Sequence, residues 1–368
     1  FVEHMRFSNP IQRLQIAPGG VRKRITSNLF CAFALLLTCV SCVEPYEVDV
    51  PKQDNILIVE SMLLDHPDYQ RTRLYFQHQD GPRELIYNAI VSISNKAGDS
   101  WPLVVTYDGS YVPLSGSIEV AAGDEFQLEI AIGDSIRAVS TWEKVPEPSA
   151  IDTAFMEAKY RSVVNNRGIE TTSKGIEIFV ATKPVASENT YLRWTYEDTY
   201  AYDAPMASDL CSECQYCYIQ EEVGNFIELA EVLNSKGKVL SGKSIEFIEF
   251  DERFGIRFAV LVKQLTITKA AYEYYKSINQ LNEARGSIFD PPPAVLRGNV
   301  SNNLRPTETV YGFFEVGKYS EASAMIAKSD IDFLIPSFYE NCLVPNPGAD
   351  CFDCRAREGA TKVRPHYF

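Results

Sequence analysis

Residues 125–134 read Glu125-Phe126-Gln127-Leu128-Glu129-Ile130-Ala131-Ile132-Gly133-Asp134, and this stretch decides the fold. Every second side chain is large and apolar, while the side chains between them are charged, polar or small. A period of two is typical of a β-strand with one face in the core and the other in water. The Gly133-Asp134 pair that follows predicts a two-residue hairpin turn, because glycine adopts a positive φ without steric cost.

The same alternation recurs on the N-terminal side of this strand. It is present over residues 71–76 and 89–93, and Ile56-Leu57-Ile58-Val59 is a short apolar run of the kind found in buried strands. Turn residues separate these segments, as at Asn95-Lys96-Ala97-Gly98. We therefore predict that residues 55–145 form an immunoglobulin-like or transthyretin-like β-sandwich.

Two prolines mark the end of this predicted sandwich. Pro146-Glu147-Pro148 lacks two amide donors, which predicts a linker over residues 146–149. Residues 150–368 then predict a mixed, β-rich C-terminal domain, with strands over 177–181, 191–200, 244–250 and 257–266. The whole pattern predicts a mainly β protein with some α structure.

One helix is clear in the C-terminal region, over residues 268–285. Thr268 is a suitable N-cap. One face at helical spacing contains Ala271, Tyr274, Tyr275, Ile278, Leu281, Asn282 and Arg285. Packing against a core is the plainer interpretation of this tyrosine-rich face, and stacking on a ligand is the alternative.

The N-terminal segment has the parts of an export signal. Arg22-Lys23-Arg24 is followed by a largely apolar run and by Val40-Ser41-Cys42, which resembles the lipid-attachment sequence of bacterial lipoproteins. The apolar core over 29–37 is far shorter than the roughly 20 residues of a membrane-spanning helix. We expect residues 21–41 to be a cleaved lipoprotein signal peptide, with Cys42 lipidated. An ordinary signal peptide with a chance cysteine is the alternative.

The residues around this signal are also assigned. Residues 1–20 are polar, and we expect them to be an upstream extension that is not native, with translation starting at Val21 or, as the alternative, at Met5. Residues 42–54 are acidic, carry Pro45 and Pro51, and predict a lipidated tether.

Charge and length limit the classes of function. The full chain carries a net charge of −14, and the mature chain carries −18, because residues 1–41 hold five basic side chains and one acidic one. Nucleic acid demands a basic surface, so we expect no nucleic-acid partner. Attraction to anionic lipids is disfavoured in the same way, so membrane attachment must come from lipid on Cys42. The chain remaining after residue 41 is long enough for two domains.

Six cysteines besides Cys42 remain in the mature chain. They form two clusters, Cys211, Cys214 and Cys217 in one and Cys342, Cys351 and Cys354 in the other. An even count in an exported protein favours disulfide bonds, and we predict that at least one bond joins the two clusters. The alternative is a zinc site built from Cys211, Cys214, Cys351 and Cys354, since paired Cys-x-x-Cys units suit tetrahedral zinc.

The sequence offers no evident catalytic constellation. The mature chain contains three scattered histidines, His66, His78 and His366, without a His-x-x-x-His pair or a Gly-x-Ser-x-Gly elbow. We expect no catalytic residue, no phosphate-binding loop, no metal and no cofactor other than the lipid on Cys42. The ligand-binding residues remain unassigned.

Several short segments follow one another along the mature chain in a recognisable order. Besides Cys42, they are Ile58-Val59-Glu60, Gly109-Ser110-Tyr111, Phe289-Asp290-Pro291-Pro292-Pro293-Ala294, Gly298-Asn299-Val300, Gly312-Phe313-Phe314, Cys351-Phe352-Asp353-Cys354-Arg355 and residues 362–368. In this order they resemble a family of Bacteroidetes outer-membrane lipoproteins, the domain of unknown function 4249. The resemblance implies an exported lipoprotein with an N-terminal sandwich, of a kind often encoded beside TonB-dependent transporters. It implies no activity and no catalytic residue.

The leading hypothesis is a non-enzymatic, lipid-anchored outer-membrane protein. It would act as an accessory or substrate-binding partner of a TonB-dependent transporter or other outer-membrane protein. Glu44 and Glu47 resemble the acidic export signals of surface-exposed lipoproteins, so we expect the protein to face the cell exterior. The alternatives are a surface adhesin or structural subunit of an outer-membrane assembly and, more weakly, a hydrolase with an unrecognised site.

Overall fold

The structure is a computed structural model that describes residues 55–78, 81–164, 168–184, 189–223, 227–233, 239–283 and 296–368. The predicted extension, signal peptide, Cys42 and tether lie outside the described residues, as does the triple proline at 291–293. The mainly β prediction, with some helix and with disulfide bonds, is confirmed. No helix among the described residues combines the length and the apolar character needed to cross a bilayer.

Nine strands precede the proline segment at 146–148. They are β1 Asn55–Leu64, β2 Gln70–His78, β3 Arg83–Leu85, β4 Ile90–Asn95, β5 Ser100–Val105, β6 Ser110–Pro113, β7 Glu125–Ile132, β8 Ile136–Ser140 and β9 Glu143–Lys144.

Ten strands follow it in the described ranges. They are β10 Ile151–Val164, β11 Glu170–Thr182, β12 Thr190–Asp203, β13 Tyr216–Glu222, β14 Glu228–Val232, β15 Leu240–Glu249, β16 Arg257–Ile267, β17 Val300–Asn302, β18 Tyr311–Ala327 and β19 Ala360–Thr361. The helices are α1 Ser212–Gln215, α2 Lys269–Glu283 and α3 Phe338–Cys342. Single 3-10 turns occur at Pro67–Tyr69, Glu252–Gly255, Lys328–Asp330, Ala349–Cys351 and Cys354–Ala356.

Sixteen strands share one mixed sheet. Its main path runs β17-β8-β7-β4-β5-β6-β2-β1-β18-β16-β12-β13-β19, with β14 on β12, β3 on β2 and β9 on β7. A second sheet contains three strands in the order β10-β11-β15. The first strand of the fold, β1, therefore lies inside the large sheet, parallel to β18 and antiparallel to β2.

The alternation in β7 sets the first hydrophobic core. Phe126, Leu128, Ile130 and Ile132 are all buried, as the sequence predicts. The same core also takes in side chains from late in the chain, among them Val300, Val310, Phe314 and Val316. Residues near 300–316 thus complete the core that the N-terminal strands begin.

The second core lies between the three-stranded sheet and the β12–β16 part of the large sheet. Ile176, Ile178 and Val180 of β11 pack with Trp194 of β12 and Val260 of β16. The described residues cluster as one compact unit, and β18 joins both parts by pairing with β1 and β16. The division into domains at 145 and 150 stays a prediction.

The turn after β7 differs from the sequence prediction. Ile132 pairs with Ile136, so the hairpin loop has three residues, Gly133, Asp134 and Ser135, rather than two. Gly133 still supplies the positive φ, at 53°. The chain gains one residue in the turn because the buried face of β8 must keep Ala138 and Ser140 inward.

Helix α2 begins where the sequence places it. The Thr268 hydroxyl accepts a hydrogen bond from the amide of Ala271 at 3.1 Å, which confirms the N-cap. The described helix ends at Glu283, and the predicted last residues 284 and 285 lie outside the described residues. Ala271 and Tyr272 are buried, and Tyr274 and Tyr275 pack against the same cluster.

Candidate binding cleft

A cleft of about 690 Å³ lies between helix α2 and the sheet face formed by β1, β2 and β18. We refer to it as the α2 cleft. Its lining residues are Ile58–Met62 on β1, Arg71 and Arg73 on β2, Arg83 on β3, Tyr311–Phe313 on β18, Tyr274, Tyr275, Ile278, Leu281 and Asn282 on α2, and Ile227 and Leu296. Its volume falls in the range typical of small-molecule sites.

The alternation in β1 creates the floor of the α2 cleft. Leu57, Val59 and Leu63 are buried in the first core, so Ile58 and Met62 project from the opposite face of the sheet. Pairing to β2 and β18 adds neighbours on both sides of each residue. The resulting cross-strand rows are Tyr75–Ile58–Tyr311, Arg73–Glu60–Phe313 and Arg71–Met62–Glu315.

Helix α2 supplies an apolar wall. The Tyr274 ring stacks on Phe313 with ring centroids 5.0 Å apart, and Ile278 and Leu281 continue the wall along the helix. Burial raises the pKa of Tyr274 to about 12, so its hydroxyl stays neutral in the physiological range. Part of the tyrosine-rich face is therefore core, as predicted, and part lines the cleft.

A buried ion pair anchors this wall to the sheet. The Arg193 guanidinium donates to Glu315 at 2.7 and 3.3 Å, and the Tyr275 hydroxyl donates to the same carboxylate at 2.9 Å. Burial opposes the charge on Arg193, but attraction to Glu315 holds the arginine pKa above its ordinary value. The Arg193 guanidinium also lies 4.5 Å from the Tyr275 ring centroid. These contacts join α2, β12 and β18.

Arginines form the other side of the α2 cleft. Arg73 donates to Asp108 and Ser110, both at 2.9 Å. Hydrogen bonds from Thr106, Ser110 and Arg73 lower the pKa of Asp108, so this carboxylate stays charged and holds Arg73 in place. Arg83 lies 3.5 Å from Glu60. Arg71 is exposed and has no hydrogen-bond or ion-pair partner among the described residues.

Two glycines allow three backbone segments to approach one another closely behind the cleft. Gly312 has a φ of +100°, and a Cβ there would lie 1.8 Å from the Val59 carbonyl oxygen. A Cβ on Gly298 would lie 1.4 Å from the Gly312 oxygen. Asn299 then bridges the strands, donating to the Phe314 carbonyl at 2.9 Å and accepting from the Phe314 amide at 2.8 Å. These contacts explain two of the short segments noted in the sequence.

All six clustered cysteines form disulfide bonds. The pairs are Cys211–Cys214, Cys217–Cys354 and Cys342–Cys351. Cys217–Cys354 joins the two clusters, which confirms that prediction. Zinc binding by Cys211, Cys214, Cys351 and Cys354 would need four thiolates, but these cysteines belong to three different disulfide bonds.

A glycine-lysine pattern in the sequence has no phosphate-loop context. Residues 237–244 match the spacing Gly-x-x-x-x-Gly-Lys-Ser, which is typical of phosphate-binding loops. The sequence therefore contains this spacing, although we expected no phosphate-binding loop. Residues 242–244 lie in strand β15 rather than at the start of a helix. Lys243 binds Glu228, and the Ser244 hydroxyl donates to Glu177 at 2.6 Å. The motif therefore serves strand contacts.

The α2 cleft itself was not predicted. Its available signals were the outward arginines at 71 and 73, which alternate with inward Thr72 and Leu74, and the tyrosine-rich helix face. Neither signal shows that β2 and α2 meet, because 195 residues lie between Arg73 and Lys269 along the chain. In the described ranges, no three or more His, Cys, Asp or Glu side chains are grouped to hold a metal ion.

Comparison with known proteins places the chain in a family. A comparison with curated proteins finds no match. The family model described as Domain of unknown function (DUF4249) matches residues 43–323, which include nearly all of the strands that frame the α2 cleft. Because this match covers well over half of the chain, the protein belongs to the DUF4249 family.

Proposed function

We propose that the protein is a non-enzymatic, lipid-anchored binding protein of the bacterial outer membrane. In this proposal it faces the cell exterior and acts as an accessory or substrate-binding partner of a TonB-dependent transporter. The α2 cleft is the observation that carries the proposal. It combines an apolar wall with a row of guanidinium groups, and both kinds of group can recognise a ligand.

Several features of the sequence support the membrane part of the proposal. The basic, apolar and small-residue segments before Cys42 match a lipoprotein signal. The strongly acidic mature chain needs lipid for stable attachment, because its charge repels anionic head groups. The resemblance to Bacteroidetes outer-membrane lipoproteins supports a transporter as partner.

The test is a pull-down of the tagged protein from native outer membranes in a mild detergent, followed by mass spectrometry. We expect a TonB-dependent barrel in stoichiometric amount. The control is Cys42→Ser, which removes the predicted acylation site and should abolish recovery from the membrane fraction. Recovery of the wild-type protein alone, while other outer-membrane complexes survive, would contradict the transporter role.

A second candidate function is a surface adhesin or structural subunit. It is favoured by exposed apolar side chains beside the disulfide-bonded cysteines. Leu210 precedes Cys211, Leu343 follows Cys342 and Phe352 follows Cys351, and their exposed fractions are 98%, 62% and 47%. Exposed apolar groups held by covalent cross-links suit protein contacts. Binding to matrix or host proteins, without recovery of a TonB-dependent barrel, would favour this role. Turnover of a glycan or peptide would instead indicate a hydrolase.

A further inference from the structure

The two sides of the α2 cleft differ in chemistry. One side is the apolar wall of α2, and the other is an arginine row on β2 and β3. Within that row, Arg73 is bound to Asp108 and Arg83 is near Glu60, while Arg71 has no partner within the described part of the chain. The unpaired guanidinium can bind the charged end of a ligand, and the apolar wall can bind the apolar end of the same ligand.

We propose that the α2 cleft binds a small amphiphilic acid, a single oxyanion on an apolar body. Arg71 meets the oxyanion, and the wall formed by Tyr274, Ile278 and Leu281 meets the body. This inference rests on the binding function proposed above and adds the chemical class of the ligand.

The arginines explain the choice of an oxyanion. A guanidinium presents N–H donors in a planar fork that matches the two oxygens of a carboxylate. Arg71 and Arg73 are two residues apart on the same face of β2, about 7 Å along the strand. Asp108 and Ser110 hold Arg73 in a fixed orientation and Asp108 balances its charge, so the unpaired positive charge of the two is that of Arg71.

Glu60 limits the charge of the ligand. Its carboxylate lies in the cleft, directly across the strand pair from Arg73. A ligand with several negative charges would bring one of them close to Glu60, and like charges at short range repel. We therefore expect a monoanion to bind better than a polyanion such as citrate.

The apolar wall explains the need for an apolar body. Ile58 and Met62 on the sheet line the cleft as the helix wall does, so apolar groups of both elements can contact a ligand. Removing a methylene group from water strengthens binding by about fourfold. Affinity should therefore rise with chain length from octanoate to decanoate to dodecanoate.

The test is isothermal titration calorimetry on the mature chain, residues 42–368, carrying Cys42→Ser so that no detergent is needed. The ligands are octanoate, decanoate and dodecanoate below their micelle-forming concentrations, with dodecan-1-ol as the uncharged match and citrate as the polyanion without an apolar body. We expect dodecanoate to bind most tightly, the alcohol at least tenfold more weakly, and citrate without measurable heat.

Two variants with matched controls separate the two sides of the cleft. Arg71→Gln should weaken dodecanoate at least tenfold and leave the alcohol unchanged, whereas Arg161→Gln on β10 should change neither. Leu281→Asn should weaken both ligands, whereas Leu114→Asn, at an exposed leucine outside the cleft, should change neither. Arg71 and Leu114 are both exposed, so folding of these variants should match the parent by circular dichroism.

Three results would overturn the ligand class. They are no binding of dodecanoate by the folded protein, equal binding of dodecanoate and dodecan-1-ol, and unchanged dodecanoate affinity in Arg71→Gln. The membrane pull-down tests the transporter role independently of the calorimetry, because it does not depend on the ligand. A barrel partner without acid binding would reject the ligand class alone, and acid binding without a barrel partner would reject the transporter role alone.

Discussion

At the scale of single residues, the close approach of the Gly312 and Val59 backbones predicts a large loss of stability when Gly312 is replaced. Gly312→Ala should destabilise the protein by at least about 3 kcal/mol, for two reasons. The new Cβ would clash with the Val59 backbone, and alanine is unfavourable at this positive φ. Gly98→Ala is the matched control, since Gly98 has a φ of +102° with nothing within 4 Å of a Cβ. It should cost about 1–2 kcal/mol. Urea denaturation measures both values, and equal losses would show that the close approach does not matter.

A buried carboxylate predicts a pH dependence of stability. Asp198 is buried on β12, its Oδ2 accepts from Arg253 at 2.9 Å, and its Oδ1 has no partner among the described residues. Burial raises the pKa of Asp198 to about 7, in spite of attraction to Arg253. The folded state therefore binds an extra proton between roughly pH 4 and 7, so this carboxylate lowers stability as pH rises through that window.

Replacing this carboxylate tests whether stability falls, as predicted, when the pH rises. Asp198→Asn should reduce the loss of unfolding free energy between pH 5 and pH 8 by at most about 2.7 kcal/mol, because two pH units below a pKa of about 7 contribute about 1.36 kcal/mol each. Asp134→Asn, in the exposed hairpin loop, is the control and should leave the pH profile unchanged. An unchanged profile in Asp198→Asn would instead show that pairing with Arg253 outweighs burial, because a carboxylate with a lowered pKa does not titrate between pH 5 and pH 8.

At the scale of elements, helix α2 depends on the ion pair beneath it. Glu315→Gln leaves the Arg193 guanidinium buried without a carboxylate, and loss of one partner of a buried pair costs about 3–5 kcal/mol. Arg305→Gln breaks an exposed pair with Glu308 and should cost less than about 1 kcal/mol. Denaturant midpoints measure both variants. A small loss in Glu315→Gln would show that packing alone holds α2 in place.

Elements with a strong local pattern were predictable. Strand β7 and the cap of α2 follow from alternation and from Thr268, because both signals lie within a few residues. Strand β10 was missed, since a register shift between Ile151 and Thr153 and the apolar Phe155 on the otherwise charged face break its alternation. The loop length after β7 was also missed, because register with the next strand, rather than the turn residues alone, determines it.

At the scale of the whole molecule, covalent cross-links tie distant segments together. Cys217–Cys354 spans 137 residues, whereas Cys211–Cys214 spans 3. In the chain-entropy model the long loop contributes about 5 kcal/mol and the short loop about 2 kcal/mol. The double variant Cys217→Ala with Cys354→Ala should therefore lower stability more than Cys211→Ala with Cys214→Ala. Thermal unfolding measures both, and the reverse order would contradict the model.

The sequence by itself determined the strand-rich class, the start of α2 and the family, and it favoured disulfide bonds over a zinc site. These follow from local periodicity, from residue types and from short ordered segments. Only the tertiary structure decided the parallel pairing of β1 with β18, the disulfide partners and the α2 cleft. Ile58 and Tyr311 are neighbours in the sheet although more than 250 residues separate them along the chain. No local pattern encodes such a contact, because it depends on how every intervening element packs.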